Sequence, residues 1–173
     1  GFDNVYARPL TFDSAHGSVG WRVQPDANQV DVYSGKLQLS DKDERAEGQF
    51  HLSLPIRRNT GPIELTLAVT ATDVLAAQYQ KYLPEVVPQR LTEYLTRGIG
   101  RSNQAFASRG SFIYRGTLNE KGPQSYSVGL DLALEKGSFL YHPDWPELHD
   151  AYGRLVVDDG DVHARIKRAQ IYN

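Results

Sequence analysis

Cysteine and methionine are both absent from this 173-residue chain. Without cysteine there is neither a disulfide framework nor thiolate chemistry, yet a chain of this length buries roughly 70% of its unfolded surface and needs no bridges. The missing methionine, an initiator included, leads to the expectation that the chain is a piece of something longer, with any leader or anchor outside it. Long apolar runs are missing too: the longest covers residues 74–77, four residues, where a membrane-crossing helix needs about 20. Nor does one sign of charge dominate, because 19 Lys plus Arg oppose 21 Asp plus Glu for a net charge of −2 and the basic residues are scattered along the sequence. Nucleic acid is therefore not an expected partner.

What is present is alternation. Val19, Trp21, Val23, then Phe50, Leu52, Leu54, Ile56, then Ile63, Leu65, Leu67, Val69, Ala71 repeat with a period of two, the pattern of half-buried antiparallel strands. Turn-rich clusters at residues 24–28, 40–48 and 57–62 separate them. Five strands are predicted before residue 72, at 5–13, 18–24, 29–40, 48–57 and 62–72. The period then changes. Asp73 is placed to cap a short helix carrying Leu75, Tyr79 and Tyr82 that stops where Leu83 meets Pro84. A second helix, opened by Pro88 and stopped by Gly98, puts Val87, Leu91, Tyr94 and Leu95 on one face. Alternation returns with Phe112 and Tyr114, with Val128, Leu130, Leu132 and Leu134 running into Phe139 and Tyr141, and with Leu155, Val157, Val162, Ala164 and Ile166. Asp159-Gly160 is a hairpin signal. The expected fold is mainly β, an open, curved antiparallel sheet interrupted by one or two short α-helices around residues 73–98, with residues 1–173 forming one module.

Strings that imitate active sites fail on spacing. In the stretch His16-Gly17-Ser18-Val19-Gly20 the glycine directly precedes the serine, whereas a nucleophile elbow places it one residue earlier and follows it with a helix. Gly98-Ile99-Gly100 begins a dinucleotide-like pattern, but Asn103 stands at the third glycine position and the segment leaves a helix instead of a strand. Residues 142–150 hold His142, Asp144, Glu147, His149 and Asp150, yet no histidine pair has helical spacing and Pro143 and Pro146 stiffen the loop, so a polar loop is favoured over a metal site. Asp158-Asp159-Gly160-Asp161 lacks the alternating ligands of a calcium loop and reads as a turn. With no nucleophile, metal or cofactor motif, the chain is not expected to be an enzyme, and no cofactor is expected. Ten Tyr, six Phe and two Trp remain conspicuous. They fit an ordinary core, an apolar groove or, more weakly, a sugar-stacking platform using Trp21 and Trp145.

Tyr82-Leu83-Pro84 followed by Leu91, Tyr94 and Leu95 resembles the "YLP, then L..WL" helix of YhdP-like members of the AsmA-like family, with Tyr94 where many relatives carry Trp. Pro143, Asp144, Trp145, Pro146 and Leu148 are similar to that family's "Y.P.WP.L" segment, which likewise follows a strand ending in aromatics, here Phe139 and Tyr141. The opening, with Phe2, Asn4, Val5, Pro9 and then residues 17–21, fits as well, so the resemblance covers essentially the whole chain.

The resemblance implies a periplasmic part of a long, inner-membrane-anchored protein of the Gram-negative envelope. Repeating β-groove units of such proteins shelter phospholipid acyl chains on their way between the inner and outer membranes. The implied partners are phospholipid and neighbouring β-groove repeats, and a piece cut from a continuous groove is expected to associate end to end through its sheet edges. The expected groove lining is Val19, Trp21, Val23, Phe50, Leu52, Leu54, Leu65, Leu67, Val69, Val128, Leu130, Leu132 and Leu134. The competing expectation is a structural or assembly module in which the same residues pack beneath the helices and function lies in protein contacts.

Overall fold

The structure, a computed structural model, describes residues 12–41, 44–57, 60–75, 93, 106–118, 126–140, 144, 146–159 and 161–171. Among them run ten strands: β1 (Ser14–His16), β2 (Val19–Gln24), β3 (Gln29–Ser34), β4 (Leu37–Asp41), β5 (Glu44–Pro55), β6 (Glu64–Leu75), β7 (Phe106–Thr117), β8 (Tyr126–Phe139), β9 (Leu148–Asp158) and β10 (Asp161–Ile171). All belong to one open sheet in which every described pairing is antiparallel.

Two long strands are broken in step. The first half of β5 pairs with β4 and its second half with β3, while β1 lies on β4 and β2 on β3. The breaks fall at residues 17–18 and 35–36, where the Gly35 amide donates to the Ser18 carbonyl at 3.0 Å. Gly17 has φ +152°, and a Cβ there would press on the Lys36 carbonyl and the Leu37 side chain, so only glycine fits the break. The stretch that imitates a nucleophile elbow is thus a strand interruption.

Turn chemistry explains the connections. The Asn28 amide donates to the Pro25 carbonyl at 3.0 Å and Asn28 takes φ +51°, a conformation asparagine tolerates. Its side chain reaches across, donating to Thr60 Oγ1 at 2.9 Å and accepting from the Arg57 amide at 3.2 Å, so one residue ties two loops together. Asp159, φ +46°, turns β9 into β10 at the expected hairpin, and its carboxylate accepts the Val128 amide at 2.8 Å.

Two expectations need correction. The 40–48 stretch is mostly strand, because β5 starts at Glu44. Strand β6 runs through Leu75, so Asp73 does not cap a helix but sits inside the strand at φ +58°. There it reverses the alternation, leaving Thr72 exposed and Val74 buried although they are two residues apart. Most of the expected strand at 5–13 and the helical region after residue 75 lie outside the described residues, apart from Glu93, which is helical.

Asp73 belongs to a band of irregularities crossing one end of the sheet. Register shifts occur between Ala107 and Arg109, between Leu134 and Gly137, and between Ile166 and Arg168, with Lys136 and Asp150 at φ +55° and +47°. Bulges bend a strand and raise its twist, so a row of them on neighbouring strands curves the sheet along one line.

Candidate functional site

Directly opposed residues of an antiparallel pair point to the same side, so the register assigns every side chain to a face. One transverse row runs Gly48, Val69, Phe112, Leu130, Val157, Val162; the next runs Ala46, Ala71, Gly110, Leu132, Leu155, Ala164. On the other side of the first, Phe50, Leu67, Tyr114 and Val128 are aligned, followed by Trp21, Val32, Leu52 and Leu65. Past the bulges, Val74, Ala107, Leu134, Gly153 and Ile166 continue the same face. Across these rows no charged residue appears on this side, and all of the expected lining residues lie on it.

Burial divides that lining. Leu52, Leu65, Val128, Leu130 and Leu134 are buried, together with Phe112, Tyr114, Leu155 and Val157, which the expected lining omits although they obey the same alternation. Leu155 is 0% exposed and Tyr114 1%. Phe50, Leu54, Leu67 and Leu132 are half-buried against this cluster, and Val69 is half-buried too. At the β2 edge the face opens: Trp21 is 71% exposed, and Val19 and Val23 are each 54% exposed. The centre of the face is therefore a packed strip, and its β2 flank is an uncovered apolar margin.

Polar groups on the apolar side are few. Tyr114 and Tyr126 stack with ring centroids 6.3 Å apart, and the Tyr114 hydroxyl contacts the Thr117 carbonyl at 3.4 Å. Burial, helped by the neighbouring Tyr126, pushes the Tyr114 phenol above its ordinary pKa, so it stays neutral. Small residues thin the floor in places. Gly110 lets Leu132 close over it, since a Cβ there would stand 2.9 Å from Leu132 Cδ2.

The opposite side is hydrophilic. Asp31, 8% exposed, accepts hydrogen bonds from Gln24 Nε2 at 2.5 Å, Gln29 Nε2 at 2.7 Å and Ser53 Oγ at 2.7 Å, with His51 Nε2 at 3.3 Å. The Ser53 hydroxyl, then Gln29, hold its pKa below the usual carboxylate range against the opposing effect of burial. Farther along, Arg154 grips Asp131 through both nitrogens, Nε at 2.7 Å and Nη2 at 2.5 Å, and lowers that carboxylate's pKa as well. Gln24 and Gln29 lie near Asp31 in the chain, but Ser53 and, at Asp131, Arg154 come from strands far off in sequence, so neither group had a complete sequence signature.

Among the described residues no group of three histidines or acids is placed to hold a metal ion. His142 and Trp145 lie outside the described residues, while Asp144 and Pro146 are exposed and Leu148 is half-buried at the start of β9. The motif residues Tyr82, Leu83, Pro84, Leu91, Tyr94, Leu95 and Pro143 also lie outside them. No described helix is long and apolar enough to cross a membrane.

An open antiparallel sheet with one continuous apolar face agrees with the resemblance carried by those motifs, and a family model settles the matter. It is described as "YhdP protein" and matches residues 1–173. The chain belongs to the YhdP family. No curated protein matches it, and no solved structure does. YhdP membership makes this a protein of the Gram-negative envelope and places it in the AsmA-like group, for which no enzymatic activity is known.

Proposed function

We propose that this YhdP-family chain is one β-groove module of a longer, inner-membrane-anchored envelope protein, and that its apolar face shelters phospholipid acyl chains in passage between the two membranes. The observation that carries the reading is the division of the sheet: from β2 to β10 one side is apolar row after row, and the other is mostly polar, with Ile113 an exposed apolar side chain on it. Each methylene withdrawn from water gains about 0.8 kcal/mol, so an acyl chain laid on such a surface is retained without a dedicated pocket. Successive rows are alike in being apolar, so the chain slides with small barriers and the headgroup stays in water. No catalytic residue is needed. The half-buried Leu67 and Leu132 and the exposed margin at Val19, Trp21 and Val23 are the contact points available to a lipid.

The fully buried centre, with Leu155 and Val157 at 0% and 1% exposure, favours a second reading in which the face is only a core and function lies in protein contacts. Native mass spectrometry of the protein purified from cells separates the two. Phospholipid in defined stoichiometry, lost in Leu67→Asp and Leu132→Glu while circular dichroism retains the β signal, supports the conduit. Unfolding of both variants, together with lipid-free wild-type protein, supports the filled module.

A further inference from the structure

We propose that the polar side of the sheet carries a docking line for an acidic helical segment of a protein partner, formed by Arg45, Arg109, Arg154 and Arg165. These arginines are scattered along the sequence but share one transverse row. Arg45 opposes Thr72, Thr72 opposes Arg109, Arg109 opposes Ala133, Ala133 opposes Arg154, and Arg154 opposes Arg165. All four are exposed. The row holds no carboxylate, although the chain as a whole is net negative.

Three features separate this row from an ordinary solvated face. Arg154 and Arg165 stand directly opposite each other, a like-charge pairing that disfavours the sheet. Protection of an open edge accounts for basic residues on β10 but not for Arg45 and Arg109, which lie on the interior strands β5 and β7. Only Arg154 is neutralised, by Asp131, which also attracts Arg109; no described carboxylate makes an ion pair with Arg45 or Arg165.

The geometry selects the partner. Neighbouring strands lie about 4.8 Å apart, so Arg45, Arg109 and Arg154 succeed one another at about 10 Å and Arg165 follows after one further strand. Residues seven apart on an α-helix are about 10.5 Å apart and share a face. Glutamates at positions i, i+7, i+14 and i+18 of a helix laid along the row therefore stand over all four arginines: Arg45, Arg109 and Arg165 offer planar forks that suit carboxylates, while Arg154, whose Nε and Nη2 hold Asp131, adds its remaining nitrogen. A flat anionic membrane fits poorly, because the next rows toward the hairpin carry Glu47 and Asp131 and then Asp158 and Asp161. Of those acids Asp131 and Glu47 are already paired, with Arg154 and Lys36, so a helix centred on the row meets little repulsion, whereas a bilayer also covers Asp158 and Asp161.

The test uses a synthetic helical peptide with glutamates at those four positions and a second peptide of the same composition with the glutamates distributed around the helix, each titrated against the protein by fluorescence anisotropy at low salt. Expected are at least tenfold tighter binding of the aligned peptide, weakening as salt rises, and at least a tenfold loss in the triple variant R45E/R109E/R165E. R45Q/R109Q serves if the triple variant fails to give the wild-type circular dichroism spectrum. Lipid co-purification belongs to the other face and is expected to stay unchanged, so failure of either idea leaves the other standing. Equal binding of the two peptides, undiminished binding by the variants, or arginine-dependent capture of phosphatidylglycerol vesicles in preference to the peptide overturns the proposal.

Discussion

Asp31 shows at the scale of one residue how the polar side is held together. Its carboxylate collects three side-chain donors from β2, β3 and β5, so removing it takes the acceptor from Gln24 and Ser53 and leaves Gln29 Nε2 only the longer contact to Ser53 Oγ at 3.4 Å. Asp31→Ala is expected to cost on the order of 1–3 kcal/mol in urea unfolding, and Asp31→Asn less, since an amide oxygen still accepts. The lowered folded-state pKa fixes the sign of the pH dependence. The contribution is fully present above the unfolded carboxylate pKa of about 3.9 and is lost as pH falls from there through the folded value. Stability measured from neutral pH downward should decline below about pH 4, and Asp31→Asn should make that decline shallower. A wild-type curve that is flat to pH 2 would contradict the network. On the apolar side Leu155, fully buried, should lose about 2–5 kcal/mol on truncation to alanine.

At the scale of the element, the glycines distinguish strands that touch closely from strands with room. A Cβ on Gly153 of β9 would collide with the Arg165 carbonyl of β10, backbone that cannot move without parting the pair. Gly129 of β8 has nothing nearer than Ile113 Cβ at 4.0 Å. Gly153→Ala is therefore expected to destabilise by about 1–3 kcal/mol with loss of amide protection on β10, whereas Gly129→Ala should be neutral or stabilising. Hydrogen exchange resolved by strand would distinguish them. Asp73 poses the matching question for the bulge band: at φ +58° it should accept glycine but resist valine, whose branched side chain disfavours that conformation.

For the whole molecule the open edges matter. Among the described residues β10 pairs only with β9, and β1 and β2 only with β4 and β3, so these strands form the edges of the described sheet. Open edges template pairing; basic residues blunt the β10 edge, whereas the β2 edge carries the apolar margin at Trp21 beside which a further strand would lie. Concentrated protein is accordingly expected to associate in light scattering, and Trp21→Lys should weaken that association. A strictly monomeric wild type would count against a sheet that continues into neighbouring modules.

Period-two alternation, the Asp159-Gly160 hairpin and the turn at residues 25–28 were readable in order of sequence, because each depends on residues close together in the chain. From them alone came the antiparallel β class and a lining whose members all fall on one face. Where local preference competed with pairing, sequence reasoning erred: Asp73 has the chemistry of a helix cap, yet the ladder with β7 carries β6 on to Leu75. Depth was not legible either. Leu52 and Leu67 have the same pattern, and only the strands around them decide that one is buried and the other half-buried. The Ser53 contact of the Asp31 network and the whole arginine row lay beyond reach, since pairing between strands distant in sequence brings those members together. Periodicity in the chain determined what each strand is and which residues share its apolar side; pairing across the sheet decided which of them are covered and which charges stand in line.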